Sequence, residues 1–341
     1  MPDGIHTENV SAWLEAEIDG LRGPFEFSLI AGGRSNLTFR VTDAAGRIVV
    51  LRRPPLGAVL ATAHDMAREH RIIAALGPTD VPVPPALGLC EDDEVNGAPF
   101  YVMDFVPGVV LGEVGSGEDA FDETSGRHAT EQLTEVLAAL HRVDPDAVGL
   151  GDLGKKEAYL DRQLRRWQGQ WEKAKQRELP AMEEAHELLV QAKPEQLHTG
   201  IVHGDYRLGN VLLAADGTLA AVLDWELCTL GDTLADVGYL LNNWPDPDDP
   251  PAGGAASVVV LRGCPSRSEF IAAYSERTGR TVGEIDYYRA FQMWRLGSIC
   301  EGVYARFRKK VMGDQKVDLD LMDAQVRFLA NSALELARKV A

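Results

Sequence analysis

The sequence lacks the features that mark secreted, membrane and metal-cluster proteins. It has four cysteines in 341 residues, and no two of them form a C-x-x-C pair, so neither a disulfide framework nor a cysteine zinc site is predicted. The first residues have neither the basic cluster nor the apolar segment of a secretory signal. No apolar run approaches the ~20 residues that a membrane-spanning helix requires. We therefore expect a cytoplasmic protein with no membrane partner.

Basic residues are also scarce. The chain has 34 Lys and Arg against 52 Asp and Glu, a formal net charge of -18. Because nucleic acids are bound by basic surfaces, we expect no nucleic-acid partner. The length allows a large buried core in one two-lobed unit or in two domains. The sequence gives no prediction of the oligomeric state.

The most informative stretch is the loop HGDYRLGN and the predicted hairpin after it. His203, Asp205 and Asn210 follow the spacing H-x-D-x-x-x-x-N of a kinase catalytic loop, and Asp224 follows the second apolar run of the hairpin. Phosphoryl transfer uses one carboxylate to orient the attacking hydroxyl, while an amide oxygen and a second carboxylate hold Mg²⁺. We therefore expect Asp205 to be the catalytic base and Asn210 and Asp224 to be metal ligands.

Two simpler interpretations of this loop are open. The tripeptide at 203–205 alone is also compatible with an ordinary turn. A metal-hydrolase site would use His198, His203 and Asp205, but their spacing matches no strong ligand motif. The combination of the loop, the hairpin and the acid after it favours phosphoryl transfer.

The N-terminal part contains a candidate ion pair. Arg52 ends the run VVLR, where kinases have V-A-I-K on the third strand, and an arginine can bind phosphate oxygens bidentately. Arg53 would face the other side of the strand, and the register favours Arg52. Glu69 falls on the apolar stripe of a helix predicted at 61–76 and needs a cation if it is buried. We expect it to pair with Arg52; the alternative is that Glu69 lies at the edge of the stripe in water.

Two further segments are candidate nucleotide contacts. The turn between the first two predicted strands departs from G-x-G-x-x-G and is compatible with a simple hairpin, but its glycines allow backbone N–H groups to approach phosphates. We assign to nucleotide binding its residues Gly32, Gly33, Ser35 and Asn36. A later strand, predicted at 99–106, lies where a kinase contacts adenine through its backbone. Its candidate residues are Asp104, Phe105 and Val106, and Phe105 is equally compatible with a core position.

Two basic features are candidates for contacts with an anionic group. Arg207 lies two residues after Asp205 and either stabilises charge on the transferred phosphoryl group or anchors the loop to a carboxylate. The helix predicted at 156–177 has a local excess of Lys and Arg and two tryptophans. It is either a solvated charged face or a contact surface for an anionic substrate.

These segments resemble the aminoglycoside phosphotransferase/choline kinase-like superfamily, which has the protein-kinase-like fold. The resemblance covers residues 30–243, and HGDYRLGN, LDWE and GDTLAD are its most specific motifs. SNLTFRV, VLRRPP, DVPVPPALGLC and PFYVMDFVPG are more similar still to the kinase-like domains related to those fused to acyl-CoA dehydrogenases. The resemblance implies ATP and Mg²⁺, with Asp205 as base and Asn210 and Asp224 as metal ligands.

The fold expected from the element pattern and the resemblance is α+β and bilobal. An antiparallel sheet with its helix would form an N-terminal nucleotide-binding lobe at residues 1–106. A mainly helical C-terminal catalytic and substrate-binding lobe would follow at residues 107–341.

The expected activity is ATP- and Mg²⁺-dependent transfer of the γ-phosphate to a hydroxyl of a small molecule. The basic helix and the branch resemblance favour a hydroxy acid or a hydroxyacyl-CoA-like acceptor. The acidic surface favours a polycationic aminoglycoside instead. A non-catalytic nucleotide-binding module is a third hypothesis, because Arg52 replaces the usual lysine and the glycine turn is atypical.

Overall fold

The chain forms two compact units. The structure is a computed structural model that describes residues 3–31, 36–56, 64–112, 117–244, 246, 259–309 and 317–341. The first unit comprises Met1–Val109, Val211–Ala214 and Leu219–Leu227. The second comprises Val110–Asn210, Ala215–Thr218 and Cys228–Ala341. The domain division expected at residue 106 stays a prediction.

The secondary structure confirms the predicted α+β class. The strands of the described ranges are β1 (Glu26–Ala31), β2 (Leu37–Thr42), β3 (Ile48–Arg53), β4 (Ala86–Cys90), β5 (Phe100–Asp104), β6 (Thr199–Val202), β7 (Val211–Leu213), β8 (Leu219–Val222) and β9 (Thr229–Asp232). The helices are α1 (Thr7–Glu17), α2 (Met66–Leu76), α3 (Asp93–Asn96), α4 (Glu123–Arg142), α5 (Tyr159–Ala174), α6 (Pro180–Gln191), α7 (Leu234–Asn242), α8 (Arg267–Thr278), α9 (Ile285–Arg308) and α10 (Leu319–Val340).

The first unit is built on an antiparallel sheet of five strands in the order β1-β2-β3-β5-β4, together with the hairpin β7–β8. Strand residues alternate between two faces. One face of the sheet joins the apolar core that includes Leu14 of α1, with Val49, Leu51 and Val102 buried against it. Arg52 and its cross-strand partner Tyr101 therefore lie on the other face.

The second unit is mainly helical. Helix α9 packs against α5, α6, α7 and α10, and α4 packs against α8. Large aromatic side chains fill this unit, among them Trp171, Trp294, Tyr274 and Phe291, all fully buried. Strands β6 and β9 pair antiparallel. In the sequence, the catalytic loop lies between these two strands. None of the helices in the described ranges has the length and apolar character needed to cross a membrane.

Candidate active site

Arg52 is the centre of a charge cluster in the first unit. Its Nε donates to Glu69 Oε2 at 3.0 Å, and its Nη2 donates to Asp224 Oδ1 at 2.5 Å. The predicted pairing of Arg52 with Glu69 is therefore present. Burial alone would lower the pKa of Arg52, but Glu69, Tyr101 and Asp224 reverse the effect and raise it. The cluster thus holds one permanent cation between two carboxylates.

Glu69 is fixed by polar contacts on both of its oxygens. It is 2% exposed. Asn36 Nδ2 donates to Oε1 at 2.9 Å, and the Tyr101 hydroxyl donates to Oε2 at 3.1 Å. Burial raises the pKa of Glu69, although the positive charge of Arg52 opposes that shift. A buried carboxylate with this many donors is held in one orientation.

Arg53 has a different environment from Arg52. It is buried on the opposite side of β3, and its guanidinium donates to the carbonyls of Gly4 and Asn96. Burial lowers its pKa. The two arginines thus lie on opposite faces of β3, as strand alternation predicted. Arg52 contacts carboxylates, and Arg53 contacts backbone carbonyls.

Asp224 has an unusual backbone conformation. Its φ is 63°, in the left-handed region. Few residues other than glycine adopt it, although aspartate does so more readily than most. Asp224 lies two residues after the end of β8, and its carboxylate contacts Arg52. The predicted metal-ligand role of Asp224 stays a prediction.

The predicted nucleotide contacts are only partly described. Gly32, Gly33 and Ser35 lie outside the described residues, and Asn36 bonds to Glu69. In the predicted adenine segment, the Asp104 N–H donates to the Pro85 carbonyl at 2.9 Å. The guanidinium of Arg40 lies 5.5 Å from the centre of the Phe105 ring. Val106 is half-buried.

The catalytic-loop sequence lies in the second unit, where a buried aspartate fixes its backbone. Asp236 on α7 is fully buried and accepts from the His203 N–H at 2.6 Å and the Gly204 N–H at 2.8 Å. Burial would raise the pKa of Asp236, but hydrogen bonds and nearby positive charge lower it. Two consecutive N–H groups on one carboxylate impose a single backbone conformation immediately before Asp205.

The predicted base and one predicted metal ligand contact each other. Asn210 Nδ2 donates to the backbone carbonyl of Asp205 at 2.8 Å and to its Oδ2 at 2.6 Å. Arg207 Nε lies 3.5 Å from the other carboxylate oxygen of Asp205. Burial alone would lower the pKa of Arg207, but Asp205 and Tyr239 raise it. The carboxylate of Asp205 is therefore oriented from both sides.

Several residues around this loop were not predicted to act there. His141, at the end of α4, contacts the Tyr274 hydroxyl through Nδ1 at 2.7 Å and Asp236 Oδ2 through Nε2 at 3.3 Å. Neither Asp236 nor His141 is among the site residues predicted from the sequence. One signal existed: His141 follows Leu133 and Leu137 at intervals of four, which puts a polar ring on a buried helical stripe.

The predicted basic helix is shorter than expected, beginning at Tyr159 and ending at Ala174. Its tryptophans Trp167 and Trp171 are buried. Arg162 donates to backbone carbonyls, and Arg177, beyond the end of the helix, pairs with two carboxylates. These two arginines therefore have structural partners.

In the part of the chain that the structure describes, each unit supplies an oxygen donor of the kind that Mg²⁺ prefers. Asn210 uses its amide nitrogen for Asp205, so its oxygen is the atom suited to a hard cation, and Asp224 supplies a carboxylate. No group of three or more His, Cys, Asp or Glu residues is arranged as a metal site among the described residues. Such a group is not required, because Mg²⁺ is commonly held by one or two protein ligands plus substrate phosphates.

Comparison with known proteins identifies the family. A family model described as the phosphotransferase enzyme family, APH, matches residues 26–281. The chain belongs to this family.

The curated relatives also match the branch expected from the sequence. Acyl-CoA dehydrogenase family member 10 of Mus musculus is 37% identical over 302 residues, which is 86% of this chain and 28% of that protein. Acyl-CoA dehydrogenase family member 11 of Gallus gallus is 32% identical over 323 residues, 91% of this chain and 40% of that protein. The chain therefore spans well under half the length of these relatives.

Solved structures agree on the fold. A Ralstonia eutropha structure, provisionally assigned as an aminoglycoside phosphotransferase, has a TM-score of 0.81 at 34% identity and covers 98% of this chain and 99% of that one. Choline kinase from Cryptosporidium parvum has a TM-score of 0.67 at 12% identity, covering 98% and 97%. A thermostable mutant of an aminoglycoside phosphotransferase, in complex with AMP-PNP and hygromycin B, has a TM-score of 0.58 at 18% identity, covering 94% and 98%. The chain has the kinase-like fold of this family.

Proposed function

We propose that this protein is a small-molecule kinase that transfers the γ-phosphoryl group of ATP to an acceptor hydroxyl. The observation that carries the proposal is the fixed loop around Asp205. Its backbone is held by Asp236 and its carboxylate is oriented by Asn210 and Arg207. An oriented carboxylate in a kinase-spaced loop is suited to accept the proton of an attacking hydroxyl.

The chemical step balances without an added reactant. The acceptor oxygen forms a bond to the γ-phosphorus, and the bond from that phosphorus to the bridging oxygen of ADP breaks. The hydroxyl proton goes to the Asp205 carboxylate. Arg207 lies beside the same carboxylate and is the cation best suited to balance charge on the transferred group.

The nucleotide would be ATP with Mg²⁺. Arg52 is suited to bind phosphate oxygens, while Glu69 fixes its direction. We propose Asn210 and Asp224 as the protein ligands of the metal. When bound, Mg²⁺ would neutralise phosphate charge. A nucleotide role for this fold is supported by the AMP-PNP complex of one structural neighbour.

The acceptor we favour is a hydroxy acid or a hydroxyacyl-CoA-like molecule. The names of the two curated relatives refer to acyl-CoA dehydrogenases, and this choice extends that association to the acceptor. An aminoglycoside is the second candidate. It is supported by the provisional assignment of the Ralstonia eutropha structure and by the net charge of -18.

The test is phosphate transfer from MgATP to a panel of hydroxy acids, hydroxyacyl-CoAs and aminoglycosides, with Asp205→Asn as the key variant. We expect kcat to fall about 10²- to 10⁴-fold, because general-base catalysis is lost. MgATP affinity, measured by calorimetry, should change by less than about threefold, since charge is removed from the base and not from the phosphate contacts. The matched control is Asp216→Asn in the exposed turn between β7 and β8, which should retain the parent rate.

Three results would contradict parts of the proposal. Binding of MgATP without transfer to any acceptor would favour the non-catalytic module. Turnover only with aminoglycosides would replace the favoured acceptor. A full rate in Asp205→Asn would remove the base from its proposed role.

A further inference from the structure

Arg295 on α9 is a buried cation held by neutral groups. It is 5% exposed. Its Nη1 donates to the Gly204 carbonyl and to Gln292 Oε1, both at 2.9 Å. Its Nε is buried without a hydrogen-bond partner among the described residues. A buried charge in such surroundings is costly unless a counter-ion binds to it.

A second guanidinium lies on the same tryptophan. The guanidinium carbon of Arg295 is 5.4 Å from the centre of the Trp167 ring, and that of Arg166 is 5.2 Å from the same ring. Partial burial and the positive charge of Arg295 lower the pKa of Arg166. Within the described ranges, neither arginine forms an ion pair with a carboxylate. Both guanidinium groups thus lie within cation–π distance of one aromatic ring.

Buried Arg53 also contacts backbone carbonyls, but its Nε has an acceptor, whereas the Nε of Arg295 has none among the described residues. Two other arginines of low exposure have carboxylate partners. Arg52 contacts Glu69 and Asp224, and Arg177 contacts Glu301 and Asp323. With 52 acidic residues in the chain, carboxylates are abundant. The pair Arg166 and Arg295 is therefore not explained by a shortage of acidic partners. An anion supplied from outside the chain would balance it.

We propose that Arg166 and Arg295 form a binding site for the negatively charged group of the acceptor, a carboxylate or a phosphate. The proposal rests on the proposed kinase function, which it deepens by naming two specificity-determining residues. Gly204, whose carbonyl Arg295 contacts, directly precedes Asp205. Guanidinium groups bind carboxylates and phosphates bidentately, so an anion held here would orient the acceptor next to the base.

The experiment compares three probes by calorimetry without nucleotide. 3-Hydroxybutyrate presents a carboxylate, 3-hydroxybutyryl-CoA presents phosphates with its carboxyl group masked as a thioester, and 3-hydroxybutyramide is neutral. The variants are Arg166→Gln at the exposed position and Arg295→Lys at the buried one. The control is Arg165→Gln, which removes the same charge from the neighbouring exposed residue. Thermal unfolding of each variant shows whether it is folded.

We expect the parent and Arg165→Gln to bind one of the two anionic probes at least tenfold more tightly than the amide. Arg166→Gln should weaken that binding about 10- to 100-fold, since a hydrogen bond between charged groups is lost. Arg295→Lys should weaken it as well, because lysine cannot bind bidentately. The preferred probe identifies the anion as carboxylate or phosphate.

Equal binding of all three probes, binding of none, or parent affinity in Arg166→Gln would overturn the anion site. The outcome is separable from that of the proposed function. Asp205-dependent transfer to the neutral amide, unchanged by Arg166→Gln, would keep the kinase and remove the anion site. Anion binding lost in Arg166→Gln, with no phosphate transfer by the parent, would keep the site and remove the kinase.

Discussion

The two units place a buried charge in opposite settings. In the first unit, the Arg52 cation lies between the carboxylates of Glu69 and Asp224. In the second, the Asp236 carboxylate accepts hydrogen bonds from the backbone N–H groups of His203 and Gly204. The first setting balances charge with charge, whereas the second surrounds the charge with backbone dipoles and the imidazole ring of His141.

This difference has a structural consequence. An ion pair that joins a strand, a helix and a turn fixes three elements relative to one another, so removing one charge leaves an uncompensated partner. A carboxylate on consecutive N–H groups fixes the conformation of one loop. We therefore expect disruption of the first cluster to act mainly on stability, and disruption of the second to act on stability and on turnover together.

The largest effect is expected for Asp236→Asn. Losing the charge weakens both backbone hydrogen bonds and places an NH₂ group against N–H donors, so the free energy of unfolding should fall by about 3–4 kcal/mol. Turnover should fall as well, because the loop before Asp205 loses its fixed conformation. Denaturant unfolding and kcat at a temperature where the variant is folded measure the two effects.

Asp232→Asn separates these two effects. Asp232 is also fully buried, and it accepts from the Leu234 N–H and the Tyr288 hydroxyl instead of the catalytic loop. The Asp232→Asn variant should therefore be less stable than the parent while keeping a kcat near the parent value. A similar loss of kcat in both variants would show that Asp236 acts through general stability alone.

The next effect is expected for Glu69→Gln in the first unit. Without this carboxylate, the mostly buried Arg52 loses one of its two ion pairs and keeps the one with Asp224, so the free energy of unfolding should fall by about 3 kcal/mol. The control Glu131→Gln breaks an exposed pair with Arg127 one helical turn away and should change stability by less than about 0.5 kcal/mol. Equal losses of unfolding free energy in Glu69→Gln and Glu131→Gln, measured by urea unfolding, would contradict the expected difference between the buried and the exposed ion pair.

Prediction from sequence succeeded where the relevant spacing is local. The hairpin at 211–222 and the pairing of Arg52 with Glu69 follow from strand alternation and a helical stripe, and both are present. The environment of Arg295 was not predicted, and neither was the loop-fixing contact of Asp236. Those contacts join side chains to backbone groups that are 91 and 33 residues away. No periodicity specifies which distant carbonyl or N–H group a side chain will meet.

The pH dependence of stability tests the buried histidine that contacts Asp236 in the second unit. Burial holds the pKa of His141 below its ordinary value of 6.5. The unfolded chain therefore binds more protons, and stability contributed by this group is present above about pH 6.5 and lost as the pH falls below it. His141→Gln should reduce the slope of unfolding free energy against pH by up to about 1.4 kcal/mol per pH unit. His128→Gln on the same helix is the control, and an unchanged slope in His141→Gln would contradict the assignment.

The smallest effect is expected for Tyr101→Phe in the first unit, because it removes a neutral donor and leaves every charge in place. Glu69 keeps Arg52 and Asn36 as partners when the Tyr101 hydroxyl is lost. The free energy of unfolding should therefore fall by only about 1 kcal/mol, the usual net value of one hydrogen bond.

Urea unfolding of Tyr101→Phe, Glu69→Gln and the double variant tests this directly. If charge balance dominates the cluster, the double variant should lose little more stability than Glu69→Gln alone. The reason is that Glu69→Gln has already removed the carboxylate to which the Tyr101 hydroxyl donates. A loss in Tyr101→Phe as large as that in Glu69→Gln would show instead that hydrogen bonding, as in the second unit, dominates here too.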